Sequence, residues 1–524
     1  MRNLRPPCPD APVRCALVYP NRLAVAAANL GFQCLYGLLS RKGWICHRAA
    51  ADTSRTLVAG RALAEYEVVA ASLSFEGDYP AFLELLSGGG IPLRSALRGD
   101  TAPLVVVGGI APSLNPEPLA PFADVVFLGE AEAGLEGLLS FLETHRSLPR
   151  QDLLASLARA GLPGVYVPSD QVPGSGARVE RVWARVPWDP ARTRFRVEGD
   201  PFGGAYLLEV SRGCPHACRF CAAGHATRPF RPLPAERLLP WIWTGAREAG
   251  RVGLVGAAVS DHPAFESLAE AALEAGAGFT VSSFRAENLT PRAADLLARG
   301  GLQTLTVALE AGTPRLRALL GKRITEDHLL EAARIAGEAG IPNLRIYAMV
   351  GLPTETDEDV EALARLAEKA RSALGRGQVT VSVAPFVPKP HTPLQWEAMA
   401  PEALVRARIR RLQSLCGRVR GVRAVAEAPK WSRLQALWSR GGRDVAELLE
   451  QGVRTGDWRA VLRTPLARRE LNAPRDPGGP LPWDFVEGVP DRAHLARERG
   501  AALAGRPPVP CRPGTCTVCG VCGG

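Results

Sequence analysis

Long apolar segments are absent from this chain of 524 residues. No apolar run approaches the roughly 20 residues that a helix needs to cross a bilayer. The first seven residues, Met1–Pro7, also lack the apolar stretch of a secretory signal. Lysine is scarce as well, because arginine supplies all but 5 of the 63 basic residues. The absence of long apolar segments argues against a membrane-spanning helix and predicts a cytoplasmic protein.

The composition is that of a globular protein, with 46% hydrophobic and 22% charged residues. The length suffices for about three domains of ordinary size. Seven of the twelve cysteines fall in two tight clusters, which in a reducing cytosol indicates metal binding rather than disulfides. The scattered cysteines are expected to be small buried hydrophobic residues, and they are Cys8, Cys15, Cys34, Cys46 and Cys416.

The excess of positive charge is local. The formal net charge is +10, and residues 401–470 contain 16 Lys and Arg against 7 Asp and Glu. A basic segment of this kind can bind RNA or an acidic partner. The alternative is a solvated helical face in a chain that uses arginine throughout.

One short stretch concentrates three cysteines. Cys214, Cys218 and Cys221 stand at C-x3-C-x2-C spacing, directly after an apolar run over 205–210 that predicts a buried strand. A closed structural site takes four protein ligands, whereas three thiolates leave one position of a metal centre open for chemistry. The stretch therefore predicts an open metal or cluster site.

Residues 13 to about 145 alternate Val- and Leu-rich runs with helical patterns. Strands are predicted at 13–19, 67–73, 103–107 and 124–128. Continuous apolar strands separated by helices predict a doubly wound parallel sheet, which binds ligands at the carboxyl ends of its strands. The small residues at those ends that are predicted to face a ligand are Ser72, Ser74, Gly108, Gly109 and Gly129.

Residues 205–387 repeat a strand–helix unit six times, which predicts a partial (β/α)6 barrel. Reacting groups in such barrels come from the C-terminal strand ends, and the three cysteines follow the first strand. Helical stretches are predicted at 235–248, 314–340 and 357–374. The six predicted strands are 206–210, 252–259, 279–283, 304–309, 344–350 and 379–384.

A second cysteine cluster lies at the end of the chain, at C-x4-C-x2-C-x2-C spacing. Four thiolates complete a metal centre, and both an auxiliary iron–sulfur cluster and a structural zinc accept them. A redox-active or disordered tail is the third possibility. The four predicted ligands are Cys511, Cys516, Cys519 and Cys522.

With these residues in view, the chain resembles the radical S-adenosylmethionine superfamily. The motif that carries the resemblance is C-x3-C-x-aromatic-C, formed by Cys214, Cys218, Phe220 and Cys221 after the first strand of a sixfold βα pattern. The resemblance implies a [4Fe–4S] cluster on the three thiolates, with S-adenosylmethionine on the fourth iron. One electron from a reductant such as flavodoxin or ferredoxin would then release methionine and a 5′-deoxyadenosyl radical.

The same resemblance implies further cofactor-binding residues along the barrel, which are Phe220, Glu310, Gly312, Arg345 and Gly351. One departure concerns the second strand. The Gly-Gly-Glu that often binds the methionine amino group there is not legible, and Ser260, Asp261 and His262 stand at that strand end instead.

The whole arrangement resembles the branch of this superfamily with an N-terminal cobalamin-binding-like domain. The D-x-H-x-x-G motif, whose His ligates cobalt in some cobalamin proteins, is absent. Two alternatives remain open: cobalamin bound without a His lower ligand, or a domain that kept the fold and lost the cofactor. The resulting division is 1–149 cobalamin-binding-like, 150–204 linker with a small β element, 205–387 barrel, 388–500 mostly helical basic region, and 501–524 Cys-rich tail.

The resemblance leads to three functional hypotheses. The first is a radical enzyme that transfers a methyl group from cobalamin to an unactivated carbon. The second is a methylthiotransferase-like enzyme that uses the terminal cluster and holds RNA on the segment 401–470. The third is a non-catalytic iron–sulfur or RNA-binding factor. The count of three cysteines argues against the third, because it leaves a metal position open.

Overall fold

The computed structural model describes residues 12–41, 44–53, 55–172, 174, 176–509, 516 and 518–521. These residues form two compact units. The first unit takes the described residues within Met1–Gly204, Leu437–Ala467 and Gly479–Gly488. The second takes those within Ala205–Ala436, Arg468–Gly478 and Val489–Gly524. The segment 388–500 is therefore divided between the two units.

The first unit contains a six-stranded sheet in the order β2-β1-β3-β4-β5-β6, parallel except for β6. Its strands are β1 (Arg14–Tyr19), β2 (Ile45–Ala50), β3 (Val68–Ser72), β4 (Leu104–Gly108), β5 (Val125–Phe127) and β6 (Val165–Tyr166), followed by β7 (Val179–Glu180) outside the sheet. Its helices are α1 (Leu23–Ala27), α2 (Leu30–Arg41), α3 (Tyr79–Gly88), α4 (Ile110–Leu114), α5 (Ala131–His145) and α6 (Arg150–Ala160).

This sheet is doubly wound, as the sequence predicts. Strands β1 and β4 are buried along almost their whole length, because helices cover both faces of the sheet. The order 2-1-3-4-5 places the topological switch point between β1 and β3, where ligands of such sheets bind. Strands β6 and β7 do not pair with each other. Strand β6 runs antiparallel to β5, and β7 pairs with a later strand, Val486–Glu487.

The second unit contains a curved set of parallel strands in two sheets, β12-β11-β8 and β13-β14-β15-β16. The amide N–H of Phe284, after β12, donates to the Thr306 carbonyl on β13 and joins the two sheets. The strands are β8 (Tyr206–Glu209), β9 (Ser211–Arg212), β10 (Arg231–Pro232), β11 (Arg251–Val255), β12 (Gly278–Val281), β13 (Thr304–Glu310), β14 (Asn343–Val350), β15 (Gln378–Pro385) and β16 (Val422–Ala426).

The predicted partial βα barrel is confirmed, and β16 extends it by a seventh parallel strand that the sequence did not predict. One face of the strands is covered by helices. These helices are α7 (Ala235–Ala249), α8 (Phe265–Glu274), α9 (Pro291–Arg299), α10 (Pro314–Leu319), α11 (Glu326–Glu338), α12 (Asp357–Leu374), α13 (Glu402–Gly417) and α14 (Pro429–Arg440).

Alternation along the strands separates this helix-covered face from the concave face of the barrel. On β14, Leu344, Ile346 and Ala348 are buried beneath helices, whereas Arg345 and Tyr347 are exposed. Threonine caps fix where the outer helices begin: Thr313, Thr290 and Thr325 each accept an amide N–H from the first turn of α10, α9 and α11.

The rest of the chain adds α15 (Val445–Thr455), α16 (Trp458–Arg463), α17 (Pro465–Asn472), β17 (Val486–Glu487) and α18 (Arg492–Leu503). Strand β17 pairs in parallel with β7 in the first unit. Helix α18 belongs to the second unit and contacts α10. Among the described residues, no helix is both long and apolar enough to cross a membrane.

Candidate functional site

The three cysteines lie on a loop that begins at the C-terminal end of the first barrel strand. The short antiparallel pair β9–β10 closes the loop at its base. Gly213 opens the loop with a φ of 71°, and a Cβ there would lie 2.4 Å from the Pro229 carbonyl oxygen. Glycine is thus required where the two ends of the loop cross.

The cysteine side chains are close enough to interact electrostatically. Burial, together with the neighbouring thiols Cys221 and Cys218, raises the pKa of Cys214 to about 12, against the effect of a hydrogen bond from the His216 backbone. Burial, and then Cys218, also raise the pKa of Cys221. A bound cation reverses this balance, because metal ligation deprotonates a thiol outright. Soft thiolates are the ligands that iron–sulfur clusters take.

A half-buried network fastens the loop to the segment that follows the second barrel strand, β11. His216 Nε2 lies 2.8 Å from Asp261 Oδ1, and Asn288 Nδ2 donates to the same oxygen at 3.2 Å. Burial raises the pKa of Asp261, but His216, Arg285 and Asn288 together outweigh it and bring the pKa below its usual value. His262 serves the scaffold, because its Nε2 lies 2.9 Å from the Leu233 carbonyl oxygen.

The far side of the loop is anchored to helix α18. Arg219 is fully buried, and its Nε donates to Glu498 Oε2 at 3.1 Å. The Arg219 amide N–H donates to the Leu320 carbonyl at 2.9 Å. His225, also buried, places Nε2 3.1 Å from the Cys218 carbonyl oxygen. The segment after α10 and helix α18 therefore both hold this side of the loop in place.

Lys322 and Glu310 form an ion pair beside the cysteines, with Nζ 3.3 Å from Oε1. Nζ also donates to the Ala308 carbonyl at 3.0 Å and lies 5.8 Å from the centroid of the Phe220 ring. Burial lowers the pKa of Lys322, but Glu310 and then Cys218 outweigh it, so the pKa is raised. Glu310 has a φ of 71°, an uncommon conformation for a residue other than glycine.

Several buried polar atoms on or beside the loop have no hydrogen-bond partner among the described residues, among them Ser211 Oγ, Arg219 Nη2, His225 Nδ1, Asp261 Oδ2 and Arg285 Nε. The Arg285 guanidinium is otherwise engaged, because its Nη2 is paired with Glu287 Oε1. Asp261 follows the second barrel strand and Arg285 follows the third. A buried carboxylate oxygen and a buried guanidinium N–H left without partners indicate a ligand with both an ammonium and a carboxylate group. The methionine end of S-adenosylmethionine fits this description.

The predicted barrel residues occupy different places. Phe220 packs against an apolar cluster that includes Leu316, Leu394 and Ala502. Gly312 faces helix α12, because a Cβ there would lie 2.4 Å from the Asp359 carbonyl oxygen. Its small size is therefore needed for packing.

Gly351 and Arg345 complete this set. The Gly351 amide donates to Glu355 Oε2 at 2.7 Å, so this N–H is engaged within the protein. Arg345 lies four residues before Met349, which packs against the same apolar cluster as Phe220. Four residues of strand span about 13 Å. Glu310 thus lies next to the cysteine loop, of which Phe220 is a part, whereas Arg345 lies far from it.

In the first unit, the predicted residues lie at the C-terminal strand ends. Ser72 is buried, and Ser74 accepts a hydrogen bond at 3.0 Å from Asn29 Nδ2, which also donates to the Tyr19 hydroxyl. Asn29 therefore ties the loops after β1 and β3 together at the switch point.

The glycines at this edge have different neighbours. A Cβ on Gly109 would lie 2.3 Å from the Leu73 carbonyl oxygen, and one on Gly129 would lie 2.1 Å from that of Val182. Both have positive φ and permit backbone segments of the unit to approach each other. Only ordinary contacts, at 3.6 Å or more, surround the same position on Gly108.

Two buried acids, Glu76 and Asp78, lie next to the switch point and were not predicted from the sequence. Asp78 accepts a hydrogen bond from Asn21 Nδ2 at 2.9 Å. Burial raises the pKa of Asp78 to about 6, against the effect of Asn21. Lys322 was missed as well, because 314–340 was predicted as one helix. Gly321, with a φ of 71°, and the Thr325 cap break this stretch, and both residue types are breaker signals.

Of the four terminal cysteines, Cys511 and Cys522 lie outside the described residues. Cys519 is buried, and its carbonyl accepts the Asp491 amide N–H at 2.9 Å, just before α18. Cys516 is half-buried. Within the part of the chain that the structure describes, no three His, Cys, Asp or Glu side chains are arranged to hold a single metal ion.

Part of the charge of the basic segment 401–470 is used inside the protein. Arg408 donates to Glu355 Oε2 at 2.7 Å, and both side chains are buried. In the first unit, Arg443 donates to Glu117 Oε2 at 3.0 Å and to the Tyr166 hydroxyl at 2.7 Å. These arginines stabilise the fold, and the outward-facing ones are left to any acidic partner.

Two protein families match this chain. The family described as "Radical SAM superfamily" matches residues 208–367, from the first barrel strand into α12. The family described as "Radical SAM proteins, N-terminal" matches residues 31–168, which cover most of the doubly wound sheet.

Individual proteins are also similar to this chain. The chain is 28% identical over 387 residues to an uncharacterised protein of Methanocaldococcus jannaschii, covering 73% of this chain and 79% of that protein. It is 26% identical over 274 residues to an uncharacterised methyltransferase of Pyrococcus horikoshii, covering 51% of this chain and 58% of the relative.

A solved structure shares the fold. It is the radical S-adenosylmethionine methyltransferase TsrM of Kitasatospora setae, with cobalamin and a [4Fe–4S] cluster bound. The TM-score is 0.53 at 16% identity, covering 86% of this chain and 99% of that one. At this identity the likeness concerns the fold alone.

Proposed function

Because the chain belongs to the radical S-adenosylmethionine superfamily, in the branch with an N-terminal cobalamin-binding-like domain, we propose that it is an enzyme that reductively cleaves S-adenosylmethionine. The observation that carries the proposal is the loop of Cys214, Cys218 and Cys221, clamped at the C-terminal end of the first barrel strand. Beside it lie the orphaned polar atoms of Asp261 and Arg285.

Each residue has a role in this proposal. The three thiolates hold the [4Fe–4S] cluster. When bound, the cluster supplies one electron that breaks a carbon–sulfur bond of S-adenosylmethionine and yields methionine and a 5′-deoxyadenosyl radical. Asp261 Oδ2 accepts from the ammonium of the methionine group, and Arg285 Nε donates to its carboxylate. Asp261 thus stands in for the glutamate that the sequence lacks at this strand end.

His216 and Asn288 act by positioning Asp261. Both hydrogen-bond to its Oδ1, which leaves Oδ2 as the free acceptor. Phe220 and the apolar cluster around it exclude water from one side of the loop.

For the overall reaction we favour methyl transfer from cobalamin to an unactivated carbon. Support comes from the first unit, whose flavodoxin-like strand order has its switch point at the loops after β1 and β3. The name of the Pyrococcus relative agrees with methyl transfer. No His ligand for cobalt is legible in the sequence, so the proposed cobalamin would be held without one.

The terminal cysteines favour a second candidate. Cys511, Cys516, Cys519 and Cys522 suffice for an auxiliary iron–sulfur cluster or a zinc ion. A methylthiotransferase-like reaction on RNA would use such a cluster and the basic segment 401–470. A non-catalytic iron–sulfur factor is the third hypothesis, and it predicts no cleavage of S-adenosylmethionine.

One assay tests the enzyme proposal. Anaerobically reconstituted protein is incubated with dithionite and S-adenosylmethionine, and 5′-deoxyadenosine is quantified. We expect product from the wild type and from Cys416→Ala, a buried cysteine on α13, but none from the triple variant Cys214→Ala/Cys218→Ala/Cys221→Ala. Equal product from the wild type and the triple variant would sink the proposal.

Two binding measurements separate the finer hypotheses. Retention of a corrin absorption band after gel filtration supports cobalamin binding, and its loss removes the cobalamin-dependent form. Iron, sulfide and zinc are then measured in the wild type and in Cys516→Ala/Cys519→Ala. Loss of iron with sulfide indicates an auxiliary cluster, and loss of zinc alone indicates a structural ion.

A further inference from the structure

The concave face of the sheet β13–β16 departs from the packing of a closed βα barrel. Barrel interiors are filled by layers of side chains dominated by bulky branched residues. Here one layer, in register across the four strands, consists of Thr306, Arg345, Thr380 and Arg423. The next layer toward the cysteine loop consists of Ala308, Tyr347, Ser382 and Val425. The first layer is therefore entirely polar, and neither layer is dominated by bulky branched side chains.

The large side chains of these two layers are exposed, whereas Thr306 and Thr380 are buried and Ala308 and Ser382 are half-buried. Tyr347 is 38% exposed and Val425 is 42% exposed, and both arginines are exposed as well. The alternate residues of the same strands, such as Ile346 and Val381, are completely buried beneath the outer helices. Arg345, Tyr347, Arg423 and Val425 thus form the exposed part of this concave face.

The two arginines of the polar layer, which we call the lumen arginine pair, meet no carboxylate among the described residues. Arg423 Nε donates to Thr380 Oγ1 at 3.1 Å, so the adjacent strand orients its guanidinium across the sheet. Arg345 makes no hydrogen bond or ion pair with the described part of the chain. Their Cα atoms lie two strand spacings apart, about 10 Å. Two long side chains at that separation can converge on one group between them.

We propose that the lumen arginine pair binds an oxyanion, a carboxylate or a phosphate, of the enzyme's substrate. Guanidinium groups match both anions with paired N–H donors. An anion between Arg345 and Arg423 also removes the repulsion of two like charges on one sheet face. This inference rests on the proposed function, since it assigns a substrate class to the same barrel.

The position of the pair limits the ligand further. Arg345 lies about 13 Å along β14 from Met349, the residue that packs beside Phe220 of the cysteine loop. Tyr347 lies between them and offers an aromatic surface. The substrate is therefore an elongated molecule whose anionic end lies away from the cysteine loop and whose reacting end lies near it. The carboxylate of S-adenosylmethionine does not meet this condition.

Equilibrium dialysis of the reconstituted full-length protein tests the proposal without any turnover. The probes are ³²P-labelled pyrophosphate and ¹⁴C-labelled glutarate, each at an ionic strength fixed with potassium chloride. We expect saturable binding of at least one probe, weakened at least tenfold in Arg345→Gln and in Arg423→Gln. The probe that binds more tightly identifies the phosphate or the carboxylate as the group recognised.

A matched control separates a built site from general attraction to a basic protein. Arg410→Gln removes the same charge from the exposed face of α13 and is expected to leave the binding unchanged. The absence of saturable binding of both probes, or equal weakening in Arg410→Gln, would overturn the proposal. Failure of the proposed function has a different readout, the absence of 5′-deoxyadenosine from the wild type.

Circular dichroism shows whether each variant is folded. Both lumen arginines are exposed, so their replacement by glutamine removes no packing. Should one variant nevertheless lose its fold, the other still decides the outcome, because loss of binding in either folded variant supports the site. Full binding in both folded variants overturns it.

Discussion

Lys322 Nζ lies 3.3 Å from Glu310 Oε1, with both side chains largely buried beside the cysteine loop. The pair joins two segments, because Lys322 lies in the connection between α10 and α11 and Glu310 is the last residue of β13. Glu310 holds its place in a left-handed conformation, at a point where the register between β13 and β14 shifts. Strain of this kind persists where surrounding structure imposes it, often at functional sites. The pair thus places a fixed positive and a fixed negative charge next to a cluster-binding loop.

We expect the two halves of this ion pair to shift the reduction potential of the cluster in opposite directions. Lys322→Met removes a positive charge and lowers the potential, whereas Glu310→Gln removes a negative charge and raises it. For charges about 8 Å apart at an effective dielectric constant of about 40, each shift is about 1 kcal/mol, or about 40 mV for one electron. A redox titration followed by electron paramagnetic resonance measures both values.

Lys322→Arg is the charge-conserving control and should stay near the wild-type potential. Mere disruption of the loop would shift both charge-removing variants in the same direction. Shifts of equal sign therefore contradict the electrostatic role of the pair.

The buried contact between Arg219 and Glu498 is expected to hold the cysteine loop on α18. Arg219→Met leaves Glu498 as an uncompensated charge, and breaking a buried pair in this way costs about 3–5 kcal/mol. Urea unfolding measures the loss, and iron per chain after reconstitution should fall with it. Arg299→Met breaks an exposed pair with Asp295 and should leave the urea midpoint unchanged. Equal midpoints for the wild type and Arg219→Met refute the anchoring role.

The sequence predicted the architecture because its signals are local. The cysteine spacing, the Val-rich strands of the first unit and the six barrel strands can each be recognised from a few consecutive residues. Two strands longer than two residues, β2 and β16, were missed for a physical reason. The run Ile45–Ala50 is interrupted by Cys46, His47 and Arg48, and β2 lies at the sheet edge, where its exposed positions tolerate them. Strand β16 is hidden in an arginine-rich segment, because Arg423 faces the open interior of the barrel.

The finer features of the site depend on contacts between distant segments, which local patterns do not encode. Asp261 acquires its role from His216 and Asn288, and Lys322 acquires its role from Glu310. The sequence prediction extended the second strand to residue 259, whereas β11 ends at Val255 and residues 259–261 form a separate turn. It also could not separate Asp261 from the structural His262. Local patterns also predicted ligand contacts that the structure does not show. A ligand was expected beside Gly109, Gly129 and Gly312, but all three face protein backbone.

Asp78 predicts a pH dependence of stability in the first unit. Its pKa of about 6 in the folded protein exceeds the ordinary 3.8, so the folded state binds the proton more tightly than the unfolded state. Stability therefore falls as the pH rises from about 4 to about 6, by about 3 kcal/mol at most, and then stays constant with respect to this group. Asp78→Asn keeps an acceptor for Asn21 and removes the titration.

The comparison of urea midpoints between pH 4 and pH 8 checks this expectation. The variant should match the wild type at pH 4 and become progressively more stable than it up to about pH 6, with a constant difference beyond. A difference that does not change with pH assigns the effect to something other than ionisation of Asp78.

Substitution of Gly312 tests whether this residue is there for packing or for a ligand. In Gly312→Ala the new Cβ would lie 2.4 Å from both the Asp359 carbonyl oxygen and the Leu363 amide nitrogen. Both atoms belong to the backbone of α12, so the helix must shift, and we expect a loss of about 1–3 kcal/mol in the free energy of unfolding. Gly137→Ala is the matched control, because it adds a methyl group within α5 where no atom lies within 4 Å. There we expect a gain of about 0.5–1 kcal/mol, since alanine favours a helix interior over glycine. Unchanged stability of Gly312→Ala together with weakened binding of S-adenosylmethionine would instead return Gly312 to the cofactor site.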